Sequence, residues 1–314
     1  MALTEHNNIS IAQVVLYVPA LAVAIFLCVK HGFGRSAGWL YLVIFSLSRI
    51  LGASLQLATI ADPGNLSLYF GSLTLQNIGI SPLTLTLLAL VNRVLASIEN
   101  RSGSSGTIVN PRVLRLGQIV VLVGLILTSI GGSNSGTGYA STGVYAVSAL
   151  TQAGLGLTIA GFALVVLATA VIVLGGHVSS VEDGEKRVVL AVALSAPFLL
   201  VRILYSAIGV YGYGANNNKS LSAFSPFAGD VNVLLGMAVI EEIIVVFVIE
   251  AVGLTLKVRP TSRVSEDGKE GSERKRRRGP ISRAIASVFG KRRRRSNSGY
   301  EMARSNRGSD VSHV

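Results

Sequence analysis

Four ionisable residues stand where an apolar run should carry none: Arg49, Arg202, Glu241 and Glu242. An arginine at the centre of a bilayer costs about 2.5–3.5 kcal/mol on insertion scales. Two such costs, beside two carboxylates in a similar setting, predict ion pairs in a shared interior. Adjacent residues on a helix point about 100° apart, so Glu241 and Glu242 are expected to serve different arginines. Ionisable groups at this depth usually face a bundle interior or a water-filled cavity. The chemistry expected is therefore a binding site, or a proton or ion path. The plainer reading is that the pairs only hold helices in register. Gln76 and Asn77 are polar residues in another apolar run and would extend the same interior, with Gln152 a further candidate.

The elements that must position these groups are apolar runs of about 20 residues, the length that spans about 30 Å of hydrocarbon. Seven are present, at residues 9–29, 37–58, 68–91, 116–130, 143–174, 188–210 and 231–256. The fourth reads as short and the fifth as long. Pro19, Pro82 and Pro197 interrupt the first, third and sixth, and Gly156 with Ala160 forms a small-xxx-small pair in the fifth. The fold class expected is an all-α membrane protein, a seven-helix bundle. Before residue 257, the alternate loops hold eight Lys and Arg, from Lys30 to Arg187, against Lys219 alone on the other side. The positive-inside rule then places the N-terminus outside and the C-terminus in the cytosol. Met1–Ser10 has no Lys or Arg, so no cleaved signal peptide is expected and the first run stays as a helix. Three sequons, at Asn8, Asn65 and Asn218, fall on the expected outer side and are candidate glycosylation sites.

Several classes are disfavoured by what these runs lack. None of the four histidines falls inside a predicted span, which argues against an intramembrane zinc hydrolase. The seventh run has no lysine for a retinal Schiff base. No P-loop is present. The single cysteine, Cys28, rules out an internal disulfide. No nucleophile or metal constellation points to an enzyme, and no cofactor or metal is expected.

The stretch Lys30-His31-Gly32-Phe33-Gly34-Arg35, then Gly38-Trp39, then Ser48-Arg49-Ile50-Leu51-Gly52, resembles an uncharacterised family of seven-helix integral membrane proteins of filamentous fungi. The stretch from Pro197 through Arg202 to Tyr205 fits the same pattern. The likeness covers roughly residues 5–256 and implies a seven-helix body with no activity to carry over. A fainter likeness is to fungal RTA-like lipid-translocating exporters, which also pair an arginine with a tyrosine in a late helix and have glutamates nearby. That resemblance adds Tyr205 to the candidate site.

The whole chain of 314 residues is 50% hydrophobic with a mean hydropathy of +0.57, yet has a net charge of +12. Residues 257–314 explain the mismatch. They hold 17 Lys and Arg against six acidic residues, and so +11 of the charge. Their composition predicts a disordered cytosolic tail. Within it, Ile281, Ile285, Val288 and Phe289 give an amphipathic helix over 281–289, between the basic clusters at Arg276, Arg277, Arg278 and at Arg292, Arg293. That pattern suits the anionic lipids of a cytoplasmic leaflet, at about 1 kcal/mol per cation, and not nucleic acid, since no aromatic platform accompanies it. The function expected is a small transporter or lipid- or sterol-handling protein, with an unknown small-molecule or lipid ligand at the Arg/Glu site. The alternative is a receptor or sensor signalling through its tail. Either would sit in the plasma membrane or an endomembrane.

Overall fold

The computed structural model describes residues 5–31, 38–102, 110–176, 181, 183–213, 224 and 229–256. The tail at 257–314, with the 281–289 helix and its basic clusters, lies outside the described residues, as does Asn218. Among the described residues the secondary structure is helical and no strand occurs. Seven helical stretches are long and apolar enough to cross a membrane.

The first two spans are α1 (Glu5–His31) and α2 (Trp39–Ala58). The third is built from two pieces, α3 (Leu66–Ile78) and α4 (Ile80–Ser102), broken at Gly79. Next come α5 (Pro111–Thr142) and α6 (Ala149–Leu174). The sixth is α7 (Asp183–Ala207), which continues as a π-helical turn over Ile208–Tyr213. The seventh starts with the single turn α8 (Val231–Leu234), passes through a π-helical segment, Leu235–Val239, and ends as α9 (Ile240–Thr255). Helix starts are set by polar caps. Asn65 accepts from the Ser67 and Leu68 amides, Asn110 from Arg112, Ser148 from Leu150 and Asp230 from Asn232. Each side chain satisfies amides that have no partner inside the helix.

The fourth and fifth spans differ from expectation in opposite directions. The fourth span was expected over 116–130 and runs instead over 32 residues, while the fifth begins at Ala149 rather than 143. The Gly/Ser/Thr run after Ile130 reads as loop, yet it is helix. Hydroxyls of Ser129, Ser133, Ser135 and Thr142 bond carbonyls four residues back. Gly131, Gly132 and Gly136 let Thr151, Thr74 and Phe70 approach α5 where a Cβ would collide. The helix ends at Gly143, whose φ of 69° suits a residue without a side chain.

The third span lies at the centre, with 94% of its most apolar stretch buried. Around it, α1 packs on α2, α5 on α6, and α7 on α9. Leu83, Leu87, Leu88 and Leu90 of α4 form the middle of the core with Phe45, Val121, Phe162, Leu199 and Val245. Large apolar side chains such as Val15, Leu116, Leu167 and Leu190 point outward. A surface of that kind suits lipid and would aggregate in water. The α5–α6 contact is made by Gly124, Gly154 and Gly161, not by the Gly156–Ala160 pair. Ala160 is exposed, and Gly156 faces Tyr211.

Candidate functional site

Arg49 from α2 and Arg202 from α7 converge on one carboxylate, Glu242, at the start of α9. Both donate to Glu242 Oε1, Arg202 through Nε at 2.6 Å and Arg49 through Nη2. The three side chains are buried, none more than 3% exposed. The guanidiniums share a second acceptor, the backbone carbonyl of Gln76, at 2.9 Å from Arg49 Nη2 and 3.1 Å from Arg202 Nη2. Arg202 Nη1 also donates to Ser206 Oγ. Phe45 lies 5.2 Å from the Arg49 guanidinium carbon and Tyr205 lies 5.5 Å from that of Arg202. A guanidinium over a ring face gains a cation–π attraction.

The break in the third span makes this arrangement available. Carbonyls in the last turn of a helix lack partners inside it and form its negative end. Gln76 sits in the last turn of α3, so two cations cap a helix end in the middle of the bundle. Pro82 has no amide to return to Ile78, which weakens continuity across the junction. Gly79 also keeps the space open, because a Cβ there would overlap the Arg49 guanidinium. Gly79→Ala is therefore expected to push Arg49 off Glu242 and lower stability by about 1–3 kcal/mol. Adding Gly79→Ala to Arg49→Ala should cost little more, since the colliding group is gone. Thermal melts of the two single variants and the double check this, and additive losses would refute it.

The expectation of separate partners for the two glutamates is corrected. Among the described residues Arg49 and Arg202 pair only with Glu242, and Glu241 forms no ion pair. The turn of about 100° between neighbours carries Glu241 off the cluster, to a half-buried position with Oε2 unpartnered. Gln76 takes part through its backbone, which residue type could not disclose. Glu250 lies two turns beyond Glu242, 3% exposed, with Oε1 unpartnered. Tyr17 is buried against Phe45, and its hydroxyl also lacks a partner.

From the face on which α1 begins, a narrow polar cleft descends to the cluster. It is lined by His6, Gln56, Tyr69, Gln76, Asn77, Arg202 and Tyr205 and has room for about two or three water-sized particles. His6 thus belongs to a span and to the cleft, because α1 starts four residues earlier than its apolar run suggested. Across α3, an open, mainly apolar groove is lined by Leu55, Leu66, Phe70, Leu75, Gly136 and Ala140. Asn8 is exposed on the first turns of α1. Asn65 is engaged as the α3 cap, with Nδ2 donating to Asp62 at 3.1 Å.

The opposite face is fastened by contacts that sequence reasoning missed. Arg93 of α4 makes a forked ion pair with Glu185 of α7, at 2.7–3.0 Å. Arg93 reads in sequence as one more cation at a helix end. Glu185 is masked by Lys186 and Arg187 beside it. Lys30 donates to the Leu254 carbonyl at 2.8 Å, and the His31 ring lies 3.2 Å from that of Gly253. Both side chains cap the C-terminal end of α9, where the Lys30 charge meets the negative end of its dipole. His31 also stacks on Trp39, which occupies the space left by Gly253.

Seven apolar helices around a buried Arg–Glu–Arg cluster define a multi-pass, membrane-embedded protein. The chain belongs to a family described as a domain of unknown function, DUF7702, whose model matches residues 3–259. No curated protein and no solved structure matches it.

Proposed function

We propose that this protein is a small transporter or lipid-handling protein that takes the polar head of its ligand into the cleft above Arg202. The observation that supports the reading most is the cleft itself. Hydrogen-bonding side chains line a route from one face of a membrane bundle to a buried arginine, and ligand sites typically place a few polar groups in an otherwise apolar cavity. The groove on the other side of α3 offers an apolar surface nearby for a chain or ring system. The likeness to RTA-like exporters favours a lipid over an ion. In this reading the cleft opens outside the cell or into an organelle lumen, the C-terminal tail lies in the cytosol against anionic lipids, and the chain binds and moves its ligand without chemical change.

The test is transfer of nitrobenzoxadiazole-labelled phosphatidylcholine and cholesterol in proteoliposomes, read by dithionite quenching. Gln56→Leu, which removes a polar side chain from the cleft without touching the ion pairs, is expected to slow transfer at least tenfold with little change in melting temperature. Ligand-dependent stabilisation without transfer would favour the sensor alternative. Neither transfer nor stabilisation would overturn the reading.

A further inference from the structure

Beyond Asn77, on the side away from the cleft, lies a second and smaller pocket. It is lined by Asn77, Ile80, Ser81, Thr128, Thr151, Leu155, Thr158, Ser206 and Val210. It has room for about one water-sized particle. Among the described residues only Asn77 lines both this pocket and the cleft.

Its donors and acceptors are unequal. Thr128 and Thr158 already give their hydroxyl hydrogens to carbonyls four residues back, of Gly124 and Gly154. Thr158 is thus the acceptor in its 3.0 Å contact with Ser81, which donates. Ser206 accepts from Arg202, which turns its own hydrogen away from the guanidinium. Thr151 Oγ1 is buried with no partner at all, on a residue only 6% exposed. Ile80 and Ser81 are the first residues of α4, a 23-residue helix, whose N-terminal amides carry partial positive charge. Among the described residues no carboxylate lines the pocket. Thr151, Ser206, the Asn77 amide and a helix N-terminus therefore offer hydrogens to one small space.

The adjoining cluster makes the same demand. Two guanidiniums meet one carboxylate, which leaves an excess charge of +1 in the bundle interior. Glu241 makes no ion pair with it, and Glu250 lies two turns away on α9. An unbalanced charge at this depth is costly. A single anion hydrogen-bonded to Ser206, which itself contacts Arg202, would neutralise it.

We propose that the pocket binds one monatomic anion of halide size, physiologically chloride, as a structural counter-ion to the Arg49–Glu242–Arg202 cluster. The site is separate from the cleft and does not depend on which ligand the cleft takes. Space for about one water-sized particle excludes a polyatomic anion such as sulfate and favours the smaller halide, chloride, which is only slightly larger than a water.

The experiment uses the full chain in detergent, with thermal melts titrated with sodium chloride and sodium bromide against sodium gluconate at constant ionic strength. Saturable stabilisation by both halides, and none by gluconate, is expected. Thr151→Val keeps the side-chain shape and removes the free hydroxyl. It should weaken the apparent halide affinity at least fivefold while the melting temperature in gluconate stays near that of the parent. Bromide-soaked crystals of the parent should show an anomalous peak beside Thr151 and Ser206. Equal stabilisation by all three salts, halide stabilisation unaffected by Thr151→Val, or a pocket holding water alone in bromide would each overturn the proposal.

Discussion

Glu242→Gln is expected to destabilise the bundle by about 3–5 kcal/mol, the scale for breaking a buried ion pair from one side. The argument is one of charge as much as of contacts. In the parent, two cations share one anion. Without the carboxylate, two guanidiniums remain side by side in the interior, both largely buried. The Gln76 carbonyl, Ser206 and the new amide oxygen would remain as neutral partners, with the proposed halide as the one remaining negative charge. Arg49→Gln acts in the opposite sense, because it leaves one cation facing one anion. It is therefore the milder change, although it removes two of the same hydrogen bonds. The double variant Arg49→Gln/Glu242→Gln should be no worse than Glu242→Gln alone, since the second change removes a charge that the first left unpaired. Equilibrium unfolding in mixed detergent measures all three. Equal costs for the two single variants would show that the cluster acts only through shape.

The second large effect is expected at Gly154. A Cβ on this residue would lie 2.5 Å from the Gly124 carbonyl oxygen and 2.7 Å from the Thr128 amide nitrogen. Those are backbone atoms of α5, so no side chain can rotate away, and the helices must separate. Helix pairs in lipid depend on such close packing, since no hydrophobic term drives them together. Gly154→Ala should cost about 1–3 kcal/mol, the usual range for overpacking. Gly156→Ala, two residues on, meets only the Tyr211 hydroxyl at 3.2 Å and should change the melting temperature little. Comparable losses at the two positions would mean that helix propensity, not packing, governs this interface.

These two cases mark the limit of what was legible in advance. Gly156 and Ala160 have the spacing of a packing motif, yet Gly154 and Gly161 make the contact. Spacing alone leaves rotation about the helix axis undetermined, and the partner decides it. The short reading of the fourth span failed for a related reason. Gly131, Gly132 and Gly136 resemble loop residues until the side chains that fill their spaces are known. Hydropathy also gave no sign that the third span divides at Gly79, because apolar residues continue on both sides of it.

The amino-acid sequence by itself determined that the body of this protein holds seven runs long and apolar enough to cross a membrane. Only runs of that length and apolarity satisfy the backbone in hydrocarbon, and the few charges inside them could be found by inspection. It also separated the excess charge, +11 of +12, from that body. Only the tertiary structure decided that one glutamate serves both arginines, that the Gln76 carbonyl is their second acceptor, and that Arg93 pairs with Glu185 across 92 residues. The physical reason is the same throughout. Burial is a property of residue type and local pattern, whereas an ion pair depends on how helices rotate and cross, which is set by contacts far apart in the chain.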